Sequence, residues 1–279
     1  MKRYAHEPAF VLHHYDWSES SLILETFTRS QGRVSLVAKG AKKPSSNFRP
    51  VLLPLQHLEL AYSMAPDSEI GTLKGADWVG GYTLPMGDAL LAGYYCNELL
   101  LRLLAREDVQ TDIFDAYSSC VALLAMQGKA QAGPLAAAGQ AALHSLDAGV
   151  ILRAFELILL RALGFLPELG TSSSGHALGA EETQHYHLHA ERGLRAVAAS
   201  SSGLEALPGS LWLRLQQALQ HAPGLARREA VVEEQEVREA VMQVKVGHHP
   251  AGAVGDTGGR HRLAVARLLV QHRLQRHLA

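Results

Sequence analysis

The sequence predicts an α+β fold: an N-terminal five-stranded OB-fold barrel followed by a mainly α-helical C-terminal domain. Three observations lead there. Between residues 8 and 79 lie five short stretches rich in Val, Leu, Ile, Phe and Thr, separated by turn clusters. Their connections are of antiparallel length, which suits a small closed barrel. After Leu84-Pro85 the apolar residues recur at the helical period instead. The boundary falls at 1–80 for the barrel and 81–279 for the helical domain, with a short β insertion near 185–200.

The five strands are expected at AFVLHHY (9–15), SSLILETFT (20–28), GRVSLVAKG (32–40), VLLPLQHLELAY (51–62) and EIGTLKGADWV (69–79). The clusters DWSES, SQG, KKPSSN and SMAPDS mark the turns between them. An SH3-like barrel or a small sandwich would show the same strand count, and the OB barrel is the commonest five-stranded answer. Helical spacing covers 86–106, 111–127 and 147–163, with Asp147 as N-cap and Gly164 as the stop of the third helix. Residues 128–145 are rich in small side chains and read as a loop with a weak helix. A polar loop at 170–182 precedes a short strand pair that turns at Arg192-Gly193. Helices follow at 210–221 and 227–246, the latter with Glu229, Glu233 and Glu234 in its first turn. After a loop at 247–261, a basic helix spans about 262–277.

At 279 residues, 47% hydrophobic and 19% charged, the composition is that of a globular protein with a substantial core. No apolar run approaches the ~18 residues of a membrane span. The first residues, MKRYAHEPAFVLHHYDW, contain no long apolar segment of the secretory kind. Cys96 and Cys120 lie in helical patterns without metal-type spacing and read as buried thiols. The net charge of −1 conceals an asymmetry, because residues 1–50 carry eight Lys/Arg against four Asp/Glu. Residues 245–279 are also basic, with six Lys/Arg against Asp256.

The strongest local pattern is GRVSLVAKGAKKPSSNFRP (32–50), a strand that runs into a flexible cationic loop. Lys39, Lys42, Lys43 and Arg49 surround a Gly40 hinge and a Pro-Ser-Ser-Asn tip. Such a loop can follow a phosphate backbone without reading bases, because each neutralised phosphate releases counterions. OB barrels add aromatic stacking to this groove, and Tyr15, Trp17, Phe27, Phe48 and Tyr62 are the aromatics available. An OB-type RNA-binding or ribosome-associated factor would share this composition.

His185, His187 and His189 alternate on one predicted strand, a spacing that could ligate zinc. No cysteine or carboxylate pattern completes such a site, so no metal is assigned. A metal hydrolase built on them is a distant alternative. Nucleophile-elbow, zinc-protease, P-loop and dinucleotide-binding motifs are absent, so no catalytic residue is named.

The segment AFVLHHYDWSESSLILETFTRSQGRVSLVAKGAKK (9–43) resembles the N-terminal segment of the bacterial recombination-mediator family RecO. The resemblance continues in NELLLRLL (97–104), FDAY (114–117) and LRAFELILLRALGF (152–165), in the family's order. It implies a nonenzymatic DNA repair and recombination protein, cytoplasmic and nucleoid-associated, with no cofactor. Such proteins bind single- and double-stranded DNA, anneal complementary strands coated with the single-stranded-DNA-binding protein SSB, and act with RecR to help load RecA. The family's basic barrel surface maps onto Arg33, Lys39, Lys42, Lys43 and Arg49. Its pocket for the acidic SSB tail maps onto Arg153 with Leu124, and an arginine can hold a terminal carboxylate bidentately. The four-cysteine zinc motif of some relatives is missing, since no cysteine follows Cys120. Gly258-Gly259-Arg260-His261-Arg262 matches the family's C-terminal basic run only loosely, without its proline or Ser-Arg-Glu.

Overall fold

The computed structural model describes residues 1–66, 68–81, 83–130, 148–189, 192–197 and 206–221. The chain divides into two compact units, 1–152 and 153–279.

The first unit is built on strands β1 (Lys2–Asp16), β2 (Leu22–Thr28), β3 (Gly32–Ala38), β4 (His57–Met64) and β5 (Ile70–Trp78). They close into a barrel in the order β1-β2-β3-β5-β4. All pairs are antiparallel except β3 with β5, where Ser35, Leu36 and Val37 face Ile70, Gly71 and Thr72 in parallel. Alternation sends Leu24, Val34, Leu36, Leu58, Leu60, Tyr62 and Leu73 into one buried cluster. This is the OB-type barrel that the strand pattern predicts.

Two strand boundaries differ from expectation. β1 starts at Lys2, because residues 2–10 pair with β4 across a bulge between Tyr4 and Glu7. β4 starts at His57 rather than at 51, because the stretch before it is a run of turns. The N–H groups of Val51 and Leu52 donate to the Phe48 carbonyl at 3.1 and 2.9 Å. Pro50 and Pro54 have no N–H to give a ladder. Leu55 adopts a left-handed φ of 65°, which drives its side chain into full burial. Gly93 of the first helix packs so closely there that a Cβ on it would lie 2.5 Å from Leu55 Cδ1.

Helices α1 (Asp88–Leu103) and α2 (Thr111–Ala130) belong to the same unit. They cover one outer side of the barrel, where Phe10 and Phe27 project away from the interior. Phe10 packs against Phe114 and Tyr117 with ring centroids 5.5 and 4.9 Å apart, and Phe27 lies 5.4 Å from Phe114. Burial of each such ring stabilises the fold by roughly 1.5–3 kcal/mol. Asn97 of α1 donates to the Leu12 carbonyl at 2.9 Å and accepts from the Tyr117 hydroxyl, tying helices and barrel together through one buried side chain. Cys96 and Cys120 meet between α1 and α2, sulfurs 3.8 Å apart, buried and not disulfide-bonded.

Helix α3 (Ala148–Ala162) crosses the boundary of the two units. It stops at Gly164, as expected: φ is 72° there, and the N–H groups of Phe165 and Leu166 return to the Leu160 carbonyl at 2.7 and 3.1 Å. Beyond it, β6 (His185–His189) pairs with β7 (Gly193–Ala196) and β8 (Leu207–Pro208), giving the order β7-β6-β8. The strand pair expected near 185–200 is this β6–β7 hairpin. Helix α4 (Gly209–His221) follows directly, and its Trp212 donates to the Tyr186 carbonyl at 3.1 Å. The expectations for Asp147, for most of 128–145, for the helices at 227–246 and 262–277, and for Gly258–Arg262 lie outside the described residues.

Candidate nucleic-acid interface

The basic loop grows out of β3. Gly40 takes a left-handed φ of 71° and turns the chain, and its N–H approaches the Ser21 hydroxyl at 3.4 Å. From there the backbone advances by successive turns: Lys43 N–H to the Gly40 carbonyl at 3.1 Å, Ser46 N–H to Lys43 at 3.0 Å, Arg49 N–H to Ser46 at 3.4 Å. The buried side chains of Ala41 and Leu52 pin both ends. The flexible loop expected from the glycine, proline and serine content is therefore a hydrogen-bonded platform. Lys39, Lys43 and Arg49 are exposed on it and Lys42 is half-buried. Among the described residues, only Lys42 of these four forms an ion pair, with Asp16 at 3.3 Å.

That pair joins the loop to the β1–β2 turn, as does the Lys42 N–H donating to the Ser20 carbonyl at 3.0 Å. The turn is fixed by the N–H groups of Trp17 and Ser18, which both donate to the Ser21 carbonyl at 3.1 and 3.3 Å. The aromatics considered from sequence separate here. Phe27 and Tyr62 are fully buried, Phe48 packs on the barrel core, and Tyr15 and Trp17 remain 51% and 60% exposed beside the loop.

Arg33 stands apart from the other four cations. It is buried, and one terminal nitrogen donates to the carbonyls of Leu101 and Leu104 at 2.6 and 2.7 Å, where α1 ends. The other pairs with Glu25 at 3.2 Å. Glu25, itself buried, also accepts from Ser35 at 2.8 Å and from Arg106 at 2.6 Å. Arg33 thus caps a helix and neutralises a buried carboxylate, so its placement corrects the expectation of a phosphate contact. Arg29 is similarly engaged by Asp115 at 3.0 and 2.9 Å, a contact that raises its pKa further.

Sequence reasoning missed Lys74. It lies on β5, exposed, two residues beyond Thr72, which the parallel register sets opposite Val37. Lys39 lies two residues beyond Val37, one past the end of β3, so the parallel pairing of Val37 with Thr72 leads toward both exposed lysines. Only the barrel's register reveals this, because β4 separates the two strands in sequence.

In the other candidate region, Arg153 on α3 is 18% exposed in its side chain and ion-paired with the buried Glu156 one turn on. Leu124 on α2 is fully buried. On β6, Tyr186 and Leu188 are buried while His185, His187 and His189 take the alternate positions. Among the described residues, no group of three or more His, Cys, Asp or Glu side chains is placed to hold a metal, and no helix is long and apolar enough to cross a membrane.

Comparison with known proteins agrees with this architecture. A family model described as "Recombination protein O N terminal" matches residues 1–82. The chain is 56% identical over 223 residues to a DNA repair protein RecO of Verminephrobacter eiseniae, covering 79% of this chain and 80% of that one. It is 55% identical over 218 residues to a DNA repair protein RecO of Variovorax paradoxus, covering 78% and 77%. A third, from a Polaromonas species, is 54% identical over 219 residues, covering 78% and 79%.

Proposed function

The chain belongs to the RecO family of DNA repair proteins, and from that premise we propose that it is a nonenzymatic recombination mediator that binds single- and double-stranded DNA and anneals complementary strands. It acts with RecR and SSB to promote loading of RecA, in the cytoplasm and on the nucleoid. The observation that carries the DNA reading is the ordered platform at 39–49, where Lys39, Lys43 and Arg49 stand exposed and the half-buried Lys42 pairs with an exposed aspartate. Cations held on a fixed backbone meet phosphates with less entropy to lose than cations on a loose one.

The test is a salt titration of DNA binding. Replacing Lys39, Lys42 and Lys43 by Ala weakens binding to all sequences alike and lowers the slope of log affinity against log salt by about 2 on single strands, at ~0.7 for each phosphate no longer neutralised. Unchanged affinity and slope would remove this loop from the interface.

Recruitment of SSB through its acidic tail is assigned to Arg153, whose pairing with Glu156 holds the guanidinium in place while leaving part of it open. Leu124 is fully buried on α2, so its side chain is not offered to a peptide. Arg153→Ala should reduce binding of an SSB-tail peptide and leave naked-DNA binding intact. Equal peptide affinity in calorimetry would exclude the residue.

A further inference from the structure

Beyond Phe10, β1 leaves β4, and residues 13–16 pair only with β2 among the described strands. The end of this β1–β2 hairpin carries two large aromatics outside the core, Tyr15 at 51% and Trp17 at 60% exposure. Neither is left loose. The His13 ring meets Tyr15 edge-on at 4.6 Å, and the backbone of Trp17 is held by its bond to Ser21. Cross-strand register places Tyr15 opposite Ile23, Ile23 opposite Val37, and Val37 opposite Thr72. Opposed residues share a face of a sheet, so Tyr15 begins a row that leads across half-buried Ile23 and Val37 toward the surface of Lys39 and Lys74. An exposed aromatic at one end of an apolar row with lysines at the other is the pairing that an unstacked, charged strand requires. Bases stack on the rings and phosphates meet the ammonium groups. A duplex keeps its bases stacked on one another and offers the rings nothing comparable.

We propose that Trp17 and Tyr15 form a base-stacking platform that recognises unpaired nucleotides, and that this platform, not the lysine loop, gives the site its preference for single strands over duplex. The proposal rests on the DNA-binding reading above and assigns it a division of labour: charge for affinity, aromatics for strandedness.

The experiment compares the full chain with Trp17→Ala and Tyr15→Ala variants on an oligo-dT and on a blunt duplex of equal length. Each variant should weaken oligo-dT binding by about 5- to 100-fold, as expected for the removal of one base–aromatic stack. Duplex affinity should stay within about twofold, and the salt slope on oligo-dT should not move, because no charge is removed. Trp17→Phe should restore most of the binding. Oligo-dT should also quench a component of the tryptophan fluorescence that is missing in Trp17→Phe. A wild-type chain that binds with the expected salt slope, but whose Trp17→Ala and Tyr15→Ala variants keep the same ratio of single-strand to duplex affinity, overturns the platform and leaves the DNA reading standing. A wild-type chain that binds neither oligonucleotide overturns both.

Discussion

Arg33 near the start of β3 and Lys39 just past its end lie on the same outward side of the strand. At the first position α1 and α2 cover the barrel, and the cation serves two helix-end carbonyls and a buried carboxylate. At the second the lysine is exposed. The difference teaches that a basic residue takes its role from what the fold lays over it. The charge at the covered end is part of the architecture, and the charge at the open end stays exposed.

Breaking the covered end should have the largest effect. Arg33→Met leaves the buried Glu25 with only Arg106 and Ser35 of its described partners and takes the Arg33 donor from the end of α1, which should destabilise the protein by about 3–5 kcal/mol, read from denaturant unfolding. The DNA affinity of the remaining folded protein should not change. A small drop in stability with a large drop in affinity would reverse the assignment. At the open end, the Lys39, Lys42 and Lys43 triple alanine variant should do the opposite. Its unfolding free energy should stay within about 0.5 kcal/mol per site, as for ordinary surface positions, while its DNA salt slope falls.

Histidines sharpen the same contrast. His57, at the start of β4, stacks on Phe10 at 5.0 Å, and burial pushes its pKa below the ordinary value, with Glu59 partly opposing. The unfolded chain then takes up this proton more readily than the fold does. Stability is full above pH ~6.5 and declines as pH falls below it, toward the lowered folded pKa. His57→Phe should flatten that part of the decline in thermal melts taken from about pH 7.5 to 5. Identical pH profiles for His57→Phe and the parent would mean that the imidazole is not protected. The smallest effect is expected at Asp16, whose pair with Lys42 would compete with a phosphate if the proposed DNA contact is made. Asp16→Asn should tighten DNA binding by less than about fivefold at low salt, and the gain should vanish as salt rises.

The strands and helices were legible where periodicity is local. Alternation in β3, the helical spacing of α1 to α3 and the glycine stop at Gly164 all act within a few residues. What was hidden depends on distant partners. Lys2 to Pro8 look too polar for a strand, and only β4 makes them one. Leu52 and Leu55 look like strand residues, and the prolines around them turn the chain instead. Arg33 is indistinguishable from Lys39 in the sequence because its carbonyl partners lie at the far-off end of α1, on Leu101 and on Leu104 just past it. Lys74 joins Lys39 only through a parallel register across the barrel. Exposure of Trp17 against burial of Tyr62 is likewise a matter of which side chains the closed barrel encloses.

The close approach of β3 to the α1–α2 connection bears on how divisible the molecule is. A Cβ on Gly32 would stand 2.0 Å from the Asp108 carbonyl oxygen, and the Glu107 N–H donates to the Arg33 carbonyl at 2.9 Å. The barrel is therefore not a portable module. A fragment ending at residue 82, where the family model ends, would bare Phe10 and Phe27 and strand the Arg33 guanidinium without its carbonyls. The smallest piece that keeps these contacts includes both helices, so it is longer than the stretch that the family model matches.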